Sequence, residues 1–438
     1  MRVAVIGAGI VGVTTAYELA ADGHDVTVFE RRGSVAEETS FANAGLVAPG
    51  YVTPWAAPGM PGKVMRHLLS RHSPVRLSGW PNPSLVLWMW RWWRACSPDC
   101  YAINRRRMYG LARYSQQRLR ELGETLELDY ERRLGCLVLL RTARDLALAR
   151  SGMELLDAMG VRVSMLDADD CRRIEPALGQ AAPLHAGIHL PDDEVGNCRQ
   201  FAQLLKAHAQ RLGADFRFQR RVLRVEPGAE PMIEHQLAGD EDPGDTGEAP
   251  PQLDRFDKVV VCAAIGAVHL LRPLGLRLPL AAVYGYSLTA PLRQHEGEEP
   301  LGPKGAVMDE KYKVAVSRLG SRVRAAGCAE LGGSLQRTSP AAVETLYKVL
   351  NDWFPGCGQL AKARHWKGAR AMLPDGPPVI GASGIEGVWL NLGHGSSGWA
   401  LACGSARLLA DLLAQRAPAI DPEGLDVCRV SPSRHNRP

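Results

Sequence analysis

Composition excludes several classes of protein before any motif is considered. The ten cysteines form no CxxC pair, and Cys96 and Cys100 have no histidine or second cysteine pair to complete a metal site, so we expect free thiols and no metal. Basic residues form no block longer than Arg105, Arg106 and Arg107, and a net charge of +5 is modest for 438 residues, so we expect no nucleic-acid partner. No apolar run approaches the roughly 20 residues of a membrane span, and no secretory signal pattern opens the chain, so we expect a cytoplasmic protein.

The first thirty residues carry a specific pattern. A β-branched run at residues 2–6 stops at the glycine turn 7–12, a helical pattern follows to Gly23, and a second apolar run ends at Glu30. This order of strand, glycine turn, helix, strand and acid predicts a dinucleotide-binding unit. The alternative is a structural glycine turn in an unrelated α/β protein.

Each residue of that turn has a predicted role. Gly7 permits the tight turn, Gly9 lets a pyrophosphate approach the backbone, and Gly12 lets helix and strand pack closely. The phosphates would lie at the helix N-terminus, where free N–H groups favour negative charge. Glu30 stands where an acid bonds a ribose 2′-hydroxyl, which argues against NADP. The turn alone does not separate FAD from NAD.

The rest of the chain alternates between helix and strand patterns. Helices are predicted at 85–93, a stretch rich in tryptophan, and at 105–127, 142–159, 201–212 and 341–353. Strands are predicted at 161–166, 215–225, 258–266, 283–290, 311–318, 322–328 and 388–392. Residues 226–254 are rich in Pro, Gly, Asp and Glu and predict an exposed acidic loop. A second strand, glycine turn and helix at 388–413 favours a long cofactor such as FAD, held at both ends.

Several segments match a family: residues 5–12, 38–45, 49–51, 54–59, 190–196, 285–288, 309–316, 368–370, 374–376, 391–395, 398–399 and 402–405. On these segments the chain resembles the D-amino-acid oxidase superfamily of FAD enzymes, and within it the bacterial dehydrogenase small subunits that act on D-amino acids. The resemblance covers nearly the whole chain. The acidic loop at 226–254 is longer than in the family.

The resemblance implies an α/β fold with a Rossmann-like FAD-binding domain and a mixed-sheet α+β substrate domain, both discontinuous. We expect the FAD-binding domain at 1–50, 183–278 and 366–425, the substrate domain at 51–182 and 279–365, and a flexible tail at 426–438. It also implies oxidative deamination of D-amino acids to 2-oxo acids and ammonia. Hydride would pass to flavin N5, and electrons to a quinone or other respiratory acceptor.

Such a reaction needs a group that holds the substrate carboxylate. Arg370 matches the family's carboxylate-binding arginine, and a planar guanidinium pairs with a carboxylate through two parallel bonds. Tyr312 is the second candidate, as a phenol donor that completes the clamp, and Tyr286 and Tyr51 are weaker candidates, since each could be a packed aromatic. His394 looks like a base, but in a Gly-His-Gly turn it more readily positions backbone.

The family pattern also implies a set of cofactor contacts. They fall in five groups along the chain: the first turn with Gly7, Gly9, Ile10, Val11 and Gly12; the acid with its neighbour, Glu30 and Arg31; the loop with Ser40, Asn43, Ala44 and Gly45; the middle positions Val222, Ala263, Ala264 and Gly266; and the C-terminal positions Gly368, Gly393, His394, Gly395, Ser396, Ser397 and Gly398.

The tryptophans at 88–93 have two interpretations. Tryptophan is favoured at membrane interfaces, and Arg91 and Arg94 would suit the inner face of a membrane. The preferred interpretation is a helix packed on the substrate domain, although the family implies peripheral membrane contact for the enzyme.

Other functions stay open at this point. A sibling amine oxidoreductase, such as a D-hydroxyproline dehydrogenase or a glycine or sarcosine oxidase, would share these motifs. A non-catalytic FAD-binding module would need no carboxylate clamp, and an NAD-dependent dehydrogenase would bind no flavin.

Overall fold

The computed structural model describes residues 1–67, 70–79, 82–238, 250–293 and 301–431. Its helices are α1 (Ile10–Ala21), α2 (Met60–His67), α3 (Pro83–Ala95), α4 (Pro98–Thr125), α5 (Ala143–Ala158), α6 (Ala168–Ile174), α7 (Cys198–Arg211), α8 (Ala267–Leu271), α9 (Pro340–Trp353) and α10 (Gly398–Leu413). Its strands are β1 (Arg2–Ile6), β2 (Asp25–Phe29), β3 (Leu46–Val47), β4 (Val75–Leu77), β5 (Arg133–Leu140), β6 (Ser164–Leu166), β7 (Ala186–Val195), β8 (Asp215–Arg217), β9 (Arg220–Glu226), β10 (Met232–Leu237), β11 (Gln252–Arg255), β12 (Lys258–Val261), β13 (Ala281–Pro291), β14 (Ala306–Asp309), β15 (Val314–Leu319), β16 (Arg322–Leu331), β17 (Arg364–Met372), β18 (Val379–Ala382) and β19 (Val388–Leu392).

The N-terminal strand is the centre of a six-stranded sheet in the order β18-β19-β12-β1-β2-β8. All neighbours are parallel except β18 and β19, and the register places Val5 beside Val260 and Ile6 beside Phe29. The central strands are buried on both faces, which explains why they read as continuous apolar runs. The predicted α/β fold class is confirmed.

Two layers cover this sheet. Helices α1, α4, α7 and α10 pack on one face around Val3, Val5 and Val28, while α8 and the three-stranded sheet β11-β10-β9 pack on the other around Ile6 and Val261. The carboxyl ends of β1 and β12 therefore meet the N-terminus of α1 at one edge, where ligands bind in parallel sheets.

A ten-stranded mixed sheet forms the rest of the core, in the order β17-β13-β16-β15-β14-β5-β7-β3, with β4 beside β16 and β6 beside β7. One surface, the α9 face, carries Leu288, Ala325 and Val316, which pack with α9. The opposite surface, the loop face, carries Ser287, Ala326 and Ala315, and it turns toward residues 39–51. This distinction between the two faces decides which side chains can share a site.

The predicted strand at 215–225 is two strands in different sheets. β8 joins the six-stranded sheet and β9 the three-stranded one, because Gln219 between them takes a left-handed φ of +53° that turns the chain. The predicted strand at 311–318 begins only at Val314, because the preceding residues form a turn in which Tyr312 N donates to Asp309 Oδ1 at 3.0 Å.

Part of the acidic loop predicted at 226–254 is β-strand instead. Both β10 and β11 lie inside that range, and Ile233 and His235 on β10 are buried, so local alternation outweighs the polar composition of the whole stretch. Residues 239–249 lie outside the described chain. The predicted flexible tail likewise begins with a packed 3-10 helix, Val427–Arg429, whose Arg429 forms an ion pair with Asp375, while residues 432–438 are outside the described part.

Candidate active site

The glycine turn at residues 7–12 contains two kinds of glycine. Some are required by the packing of the chain itself, and others leave open space beside the backbone. Gly7 has a φ of +101°, and a Cβ there would lie 2.9 Å from the Cys262 carbonyl oxygen. A Cβ on Gly12 would lie 1.8 Å from the Gly7 carbonyl oxygen, so close packing requires glycine at this position. A Cβ on Gly9, in contrast, would meet only Ser40 Oγ, at an ordinary 3.5 Å. The protein itself does not require glycine at position 9, which fits close approach by a bound phosphate.

Glu30 lies at the end of β2, directly beside the turn. Its carboxylate accepts hydrogen bonds from Ala8 N at 2.7 Å and Arg32 N at 2.8 Å. Burial raises the pKa of Glu30 despite these two bonds. The neighbouring Arg31 forms an ion pair with Glu38, so its guanidinium is committed within the protein.

The loop that follows is held by hydrogen bonds to helices α1 and α10 and to strand β15. Ser40 Oγ accepts from Ile10 N at 3.0 Å, and Asn43 Oδ1 accepts from Gly45 N at 2.9 Å. Ser317 Oγ donates to the Ala44 carbonyl at 2.8 Å, and Trp399 Nε1 to the Gly45 carbonyl at 3.1 Å. This loop, the predicted cofactor loop, is thus fixed between helices α1 and α10 on one side and the loop face of the mixed sheet on the other.

Sequence reasoning missed a further support of this loop. Arg324 on β16 is buried and donates to the Asn43 carbonyl at 3.0 Å and to Thr289 Oγ1 at 2.8 Å. Burial, with a contribution from Arg322, lowers its pKa to about 10. Its position in an alternating strand pattern could have shown that it faces inward, but not that it meets the loop.

The remaining residues predicted to contact the cofactor lie near the same edge. After β12, Ala264 takes a left-handed φ of +47°, and a Cβ on Gly266 would meet only Ala263 Cβ, at 3.9 Å. Val222 is half-buried on β9, whose first residue Arg220 donates from its backbone to the Glu30 carbonyl.

The C-terminal glycine turn leads directly into α10. Gly393 and Gly395 have positive φ angles, the 3-10 helix Gly395–Ser397 includes Ser396, and α10 begins at Gly398. A Cβ on Gly398 would meet only His394 Cβ, at 3.6 Å. The open cradle at Gly9, Gly266 and Gly398, with an acid beside the first turn, fits a long dinucleotide.

His394 is buried and packed against that helix. Its Nε2 lies 3.0 Å from Ser405 Oγ, and burial lowers its pKa to about 3. The imidazole is therefore neutral at physiological pH. Its backbone bridges to Met372, so its evident role is to position the turn.

Arg370 lies on the loop face of the mixed sheet. The register pairs it with Val283 and pairs Gly285 with Gly368, which puts its side chain on the surface that meets the cofactor loop. A Cβ on Gly285 would lie 2.2 Å from an Arg370 guanidinium nitrogen, so the guanidinium extends directly across this glycine.

The guanidinium of Arg370 lacks a carboxylate partner among the residues that the structure describes. Its Nη1 donates to the carbonyl of Cys328, which has a left-handed φ of +57°, at 3.1 Å, and burial lowers its pKa. A desolvated cation bonded only to a backbone carbonyl can still accept a carboxylate.

The structure gives Gly368, a predicted cofactor contact, a steric reason to be glycine. The ring of Trp366 covers it, with a ring carbon only 1.8 Å from where a Cβ would be. That ring stacks on Phe41, with centroids 6.4 Å apart, and Thr39 Oγ1 donates to the Ala369 carbonyl at 2.6 Å. Gly368 therefore makes room for a side chain that supports the cofactor loop.

Tyr312 and Tyr286 are not placed with Arg370. The Tyr312 ring packs on the α9 face, 5.0 Å from the Arg141 guanidinium and 5.7 Å from Lys348 Nζ. Tyr286 also belongs to the α9 face, where its hydroxyl donates to Glu330. Both tyrosines pack in the cluster on the α9 face, so neither points toward the loop face.

Tyr51, the weakest of the sequence candidates, packs on the loop face instead. It ends the 3-10 helix Pro49–Tyr51, and its hydroxyl donates to Glu310 Oε2 at 3.0 Å and accepts from Lys313 Nζ at 3.1 Å. Lys313 has a left-handed φ of +52° and also pairs with Glu310. Burial raises the pKa of Tyr51, which keeps its hydroxyl protonated.

Lys313 and Glu310 were not predicted as site residues, although they stand in a segment that matches the family. The Lys313 carbonyl lies beside Gly327, and the next residue, Cys328, accepts the hydrogen bond from Arg370. The cluster of Tyr51, Glu310 and Lys313 thus lies on the same surface as Arg370, with strands β13 and β16 between β17 and β15.

The combination of a dinucleotide cradle with a guanidinium that has no described carboxylate partner, on an adjoining sheet, is that of a flavin-dependent oxidoreductase. The FAD dependent oxidoreductase family matches residues 2–412, and the chain belongs to this family. Its cofactor is FAD. Two D-amino acid dehydrogenases from strains of Cereibacter sphaeroides are each 43% identical over 443 residues, which is 100% of this chain and 98% of theirs.

Solved structures share the fold. Glycine oxidase from Geobacillus kaustophilus has a TM-score of 0.74 at 19% identity, covering 99% of each chain. Iminodiacetate oxidase from Chelativorans sp. BNC1 has a TM-score of 0.69 at 22% identity, covering 97% of this chain and 98% of its own.

Two other features concern metals and membranes. In the parts of the chain that the structure describes, no group of three or more His, Cys, Asp or Glu side chains could hold a metal ion. Within the same residues, no helix has both the length and the apolar character to cross a bilayer.

Proposed function

We propose that the chain oxidises D-amino acids to 2-oxo acids and ammonia, with FAD as the hydride acceptor and a quinone or similar respiratory carrier as the final acceptor. The observation that supports it most is Arg370, a guanidinium on the loop face whose described partner is one backbone carbonyl. The 43% identity to D-amino acid dehydrogenases supports the substrate class.

Arg370 holds the substrate carboxylate in this proposal. Two parallel hydrogen bonds from a planar guanidinium fix both the position and the orientation of a carboxylate. Gly285 leaves the space for the guanidinium, and the Cys328 carbonyl fixes its angle. Substrate selection for α-carboxylates follows from this one cation.

Tyr51 replaces Tyr312 as the proposed second member of the site. Its hydroxyl is oriented by Glu310 and Lys313, and all three groups share the surface that carries Arg370. We propose that Tyr51 and Lys313 line the side of the substrate opposite Arg370. Lys313 keeps its charge there, because although burial lowers its pKa, Tyr51 and Glu310 raise it further.

His394 does not serve as a base in this proposal. A histidine with a pKa of about 3 is a poor proton acceptor at neutral pH, and its ring is already bonded to Ser405. The amine therefore reaches the site unprotonated. The N-terminus of α10, beginning at Gly398, supplies N–H groups and a positive dipole end to the cofactor.

We further propose that the enzyme works at the inner face of the cytoplasmic membrane as a peripheral protein. A lipid-soluble acceptor would require the cofactor to reach the membrane surface without a membrane-spanning helix.

Anaerobic bleaching of the bound flavin tests the reaction. The panel contains D- and L-amino acids, cyclic imino acids and N-methylglycine, each followed at the flavin absorbance band. We expect fast bleaching by several D-amino acids and slow or no bleaching by their L-forms. Bleaching only by a cyclic or N-methylated amine would assign the chain to a sibling activity, and none at all would favour a binding module.

A further inference from the structure

Helix α3 presents an exposed apolar surface. Val86 and Leu87 are each 49% exposed, Trp90 is 48% exposed and Trp93 is 60% exposed. Trp90 follows Val86 by four residues and Leu87 by three, and Trp93 follows Trp90 by three, so the four side chains share one side of the helix. Folded proteins rarely expose large apolar side chains in one continuous patch, so a strip of four indicates a binding surface.

The opposite side of α3 is packed on the protein. Leu85 and Trp88 are buried, and Trp88 Nε1 donates to the Met372 carbonyl at 3.0 Å. The helix begins with an Asn82 cap, whose side chain accepts from Leu85 N at 2.8 Å. The exposed strip is therefore a rigid feature of a well-anchored helix, with tryptophans divided between core and surface.

The sequence that surrounds this strip carries charge of one sign. From residue 39 to residue 98 the sequence contains no Asp or Glu, although the whole chain has 47. The same stretch contains six cations, Lys63, Arg66, Arg71, Arg76, Arg91 and Arg94. Arg94 is exposed and lies over the ring of Trp90, 5.0 Å from its centroid. Arg71 forms an ion pair with Glu344 of α9, but both charged residues within α3, Arg91 and Arg94, are basic. An apolar strip on a helix with only basic charged residues matches an anionic, partly apolar surface.

We propose that α3 is the membrane-docking element, with Val86, Leu87, Trp90 and Trp93 inserted among the headgroups of anionic phospholipids. Tryptophan suits this depth, because its ring is apolar and its N–H can bond to water or phosphate. Arg91 and Arg94 contact lipid phosphates. The helix lies along the surface, since its 13 residues include a buried side fixed to the protein.

The docked helix would bring the cofactor site close to the bilayer. Met372, which accepts from Trp88, bridges to His394 and lines a small cleft with Trp55, Gly395 and Ser396. A lipid-soluble acceptor would have a short path from the headgroup region to this cleft. This second step rests on the proposed respiratory acceptor, whereas vesicle binding does not.

Vesicle flotation of the full-length, FAD-loaded enzyme tests the docking. Vesicles of phosphatidylcholine alone are compared with mixed phosphatidylcholine and phosphatidylglycerol vesicles, at low and high salt. We expect binding to the anionic vesicles that weakens with salt. In the variant Trp90→Ala/Trp93→Ala, partitioning should fall at least about tenfold, because two large apolar side chains leave the lipid. Arg91→Gln/Arg94→Gln should lose about fivefold per residue on anionic vesicles only.

A matched control removes exposed apolar side chains elsewhere. Leu148 on α5 is 54% exposed and Leu253 on β11 is 60% exposed, so Leu148→Ala/Leu253→Ala should bind vesicles as the parent does. Equal binding by parent and Trp90→Ala/Trp93→Ala would overturn the proposal. So would a parent dimer that binds no vesicles and dissociates in this variant, since the strip would then be a self-association surface.

Activity assays separate docking from catalysis. With D-amino acid and a soluble dye acceptor, the tryptophan variant should keep the parent rate, because α3 contributes no substrate contact. With a quinone held in anionic vesicles, its rate should fall by the same factor as its binding. Loss of dye activity in the parent itself would contradict the proposed function and leave the vesicle result standing.

Discussion

The guanidinium of Arg370 lies directly across Gly285, at the place where a side chain on residue 285 would begin. The two residues are on neighbouring strands, β17 and β13, and the carbonyl of Cys328 on the next strand fixes the guanidinium. The proposed substrate clamp therefore depends on a residue that has no functional group of its own.

Gly285→Ala should weaken substrate binding by displacing the guanidinium. A Cβ 2.2 Å from a guanidinium nitrogen forces that group to shift, so the bidentate geometry is lost. We expect KM for D-amino acids to rise about tenfold, and about a hundredfold in Arg370→Ala, where a charge-assisted pair is removed. Steady-state kinetics check this. FAD content should equal that of the parent in both variants, and an unchanged KM in Arg370→Ala would refute the clamp.

Gly9→Ala and Gly12→Ala should fail in different ways. Alanine at position 12 overlaps the Gly7 carbonyl at 1.8 Å, so folding itself should be destabilised by about 3 kcal/mol or more. Alanine at position 9 makes only an ordinary contact with Ser40, so the chain should fold normally and lose affinity for FAD. Thermal unfolding of the FAD-free proteins and FAD titration check this. Normal FAD affinity in Gly9→Ala would contradict a pyrophosphate beside that residue.

The cofactor end and the substrate end of the site differ in how much the sequence alone could predict. The cofactor end is local, since strand, turn, helix and acid occur within thirty residues, and Gly7, Gly12 and Glu30 stand where the pattern predicts. The assignment of FAD and of the family's fold is confirmed. Individual cofactor contacts remain predictions, as do the proposed domain boundaries.

At the substrate end, the face that each side chain takes depends on strand register, which no local sequence pattern determines. A bulge between Tyr284 and Tyr286 and the left-handed φ angles at Lys313 and Cys328 decide which face each side chain takes. Tyr51, Tyr286 and Tyr312 all stand in segments that match the family, so the sequence could not tell which face each takes, whereas the fold brings Tyr51 to the loop face. Strand β7 was not predicted, because Pro191 and three acidic residues make its sequence look like a polar loop. Glu194 on this strand is buried and forms ion pairs with two arginines.

Glu30→Ala should weaken retention of FAD. The variant removes the carboxylate that would bond a ribose hydroxyl, and it also frees the Ala8 and Arg32 backbone N–H groups. We expect the Kd for FAD to rise about tenfold or more, the loss of a hydrogen bond to a charged group. Titration of the FAD-free protein gives this value. Glu30→Gln keeps one acceptor oxygen and should lie between parent and alanine, so parental affinity in both variants would argue against the ribose contact.

Asp193 on β7 should make the protein less stable as the pH rises. Its carboxyl is buried, Oδ2 has no hydrogen-bond partner among the described residues, and burial raises its pKa from 3.8 to about 7. Between these pKa values the folded state keeps a proton that the unfolded state has lost, so the stability contributed at low pH falls until the pH passes about 7. The loss is at most about 4 kcal/mol, at about 1.4 kcal/mol per pKa unit.

Asp193→Asn removes this titration while keeping the shape of the side chain. The free energy of unfolding of the variant should exceed that of the parent by a margin that grows from pH 5 to pH 7 and is constant above it. Denaturant unfolding of the FAD-free proteins across this range checks the prediction. Parallel pH curves for the two proteins would mean that the Asp193 carboxyl is ionised in the folded state, with an ordinary pKa and a solvated environment.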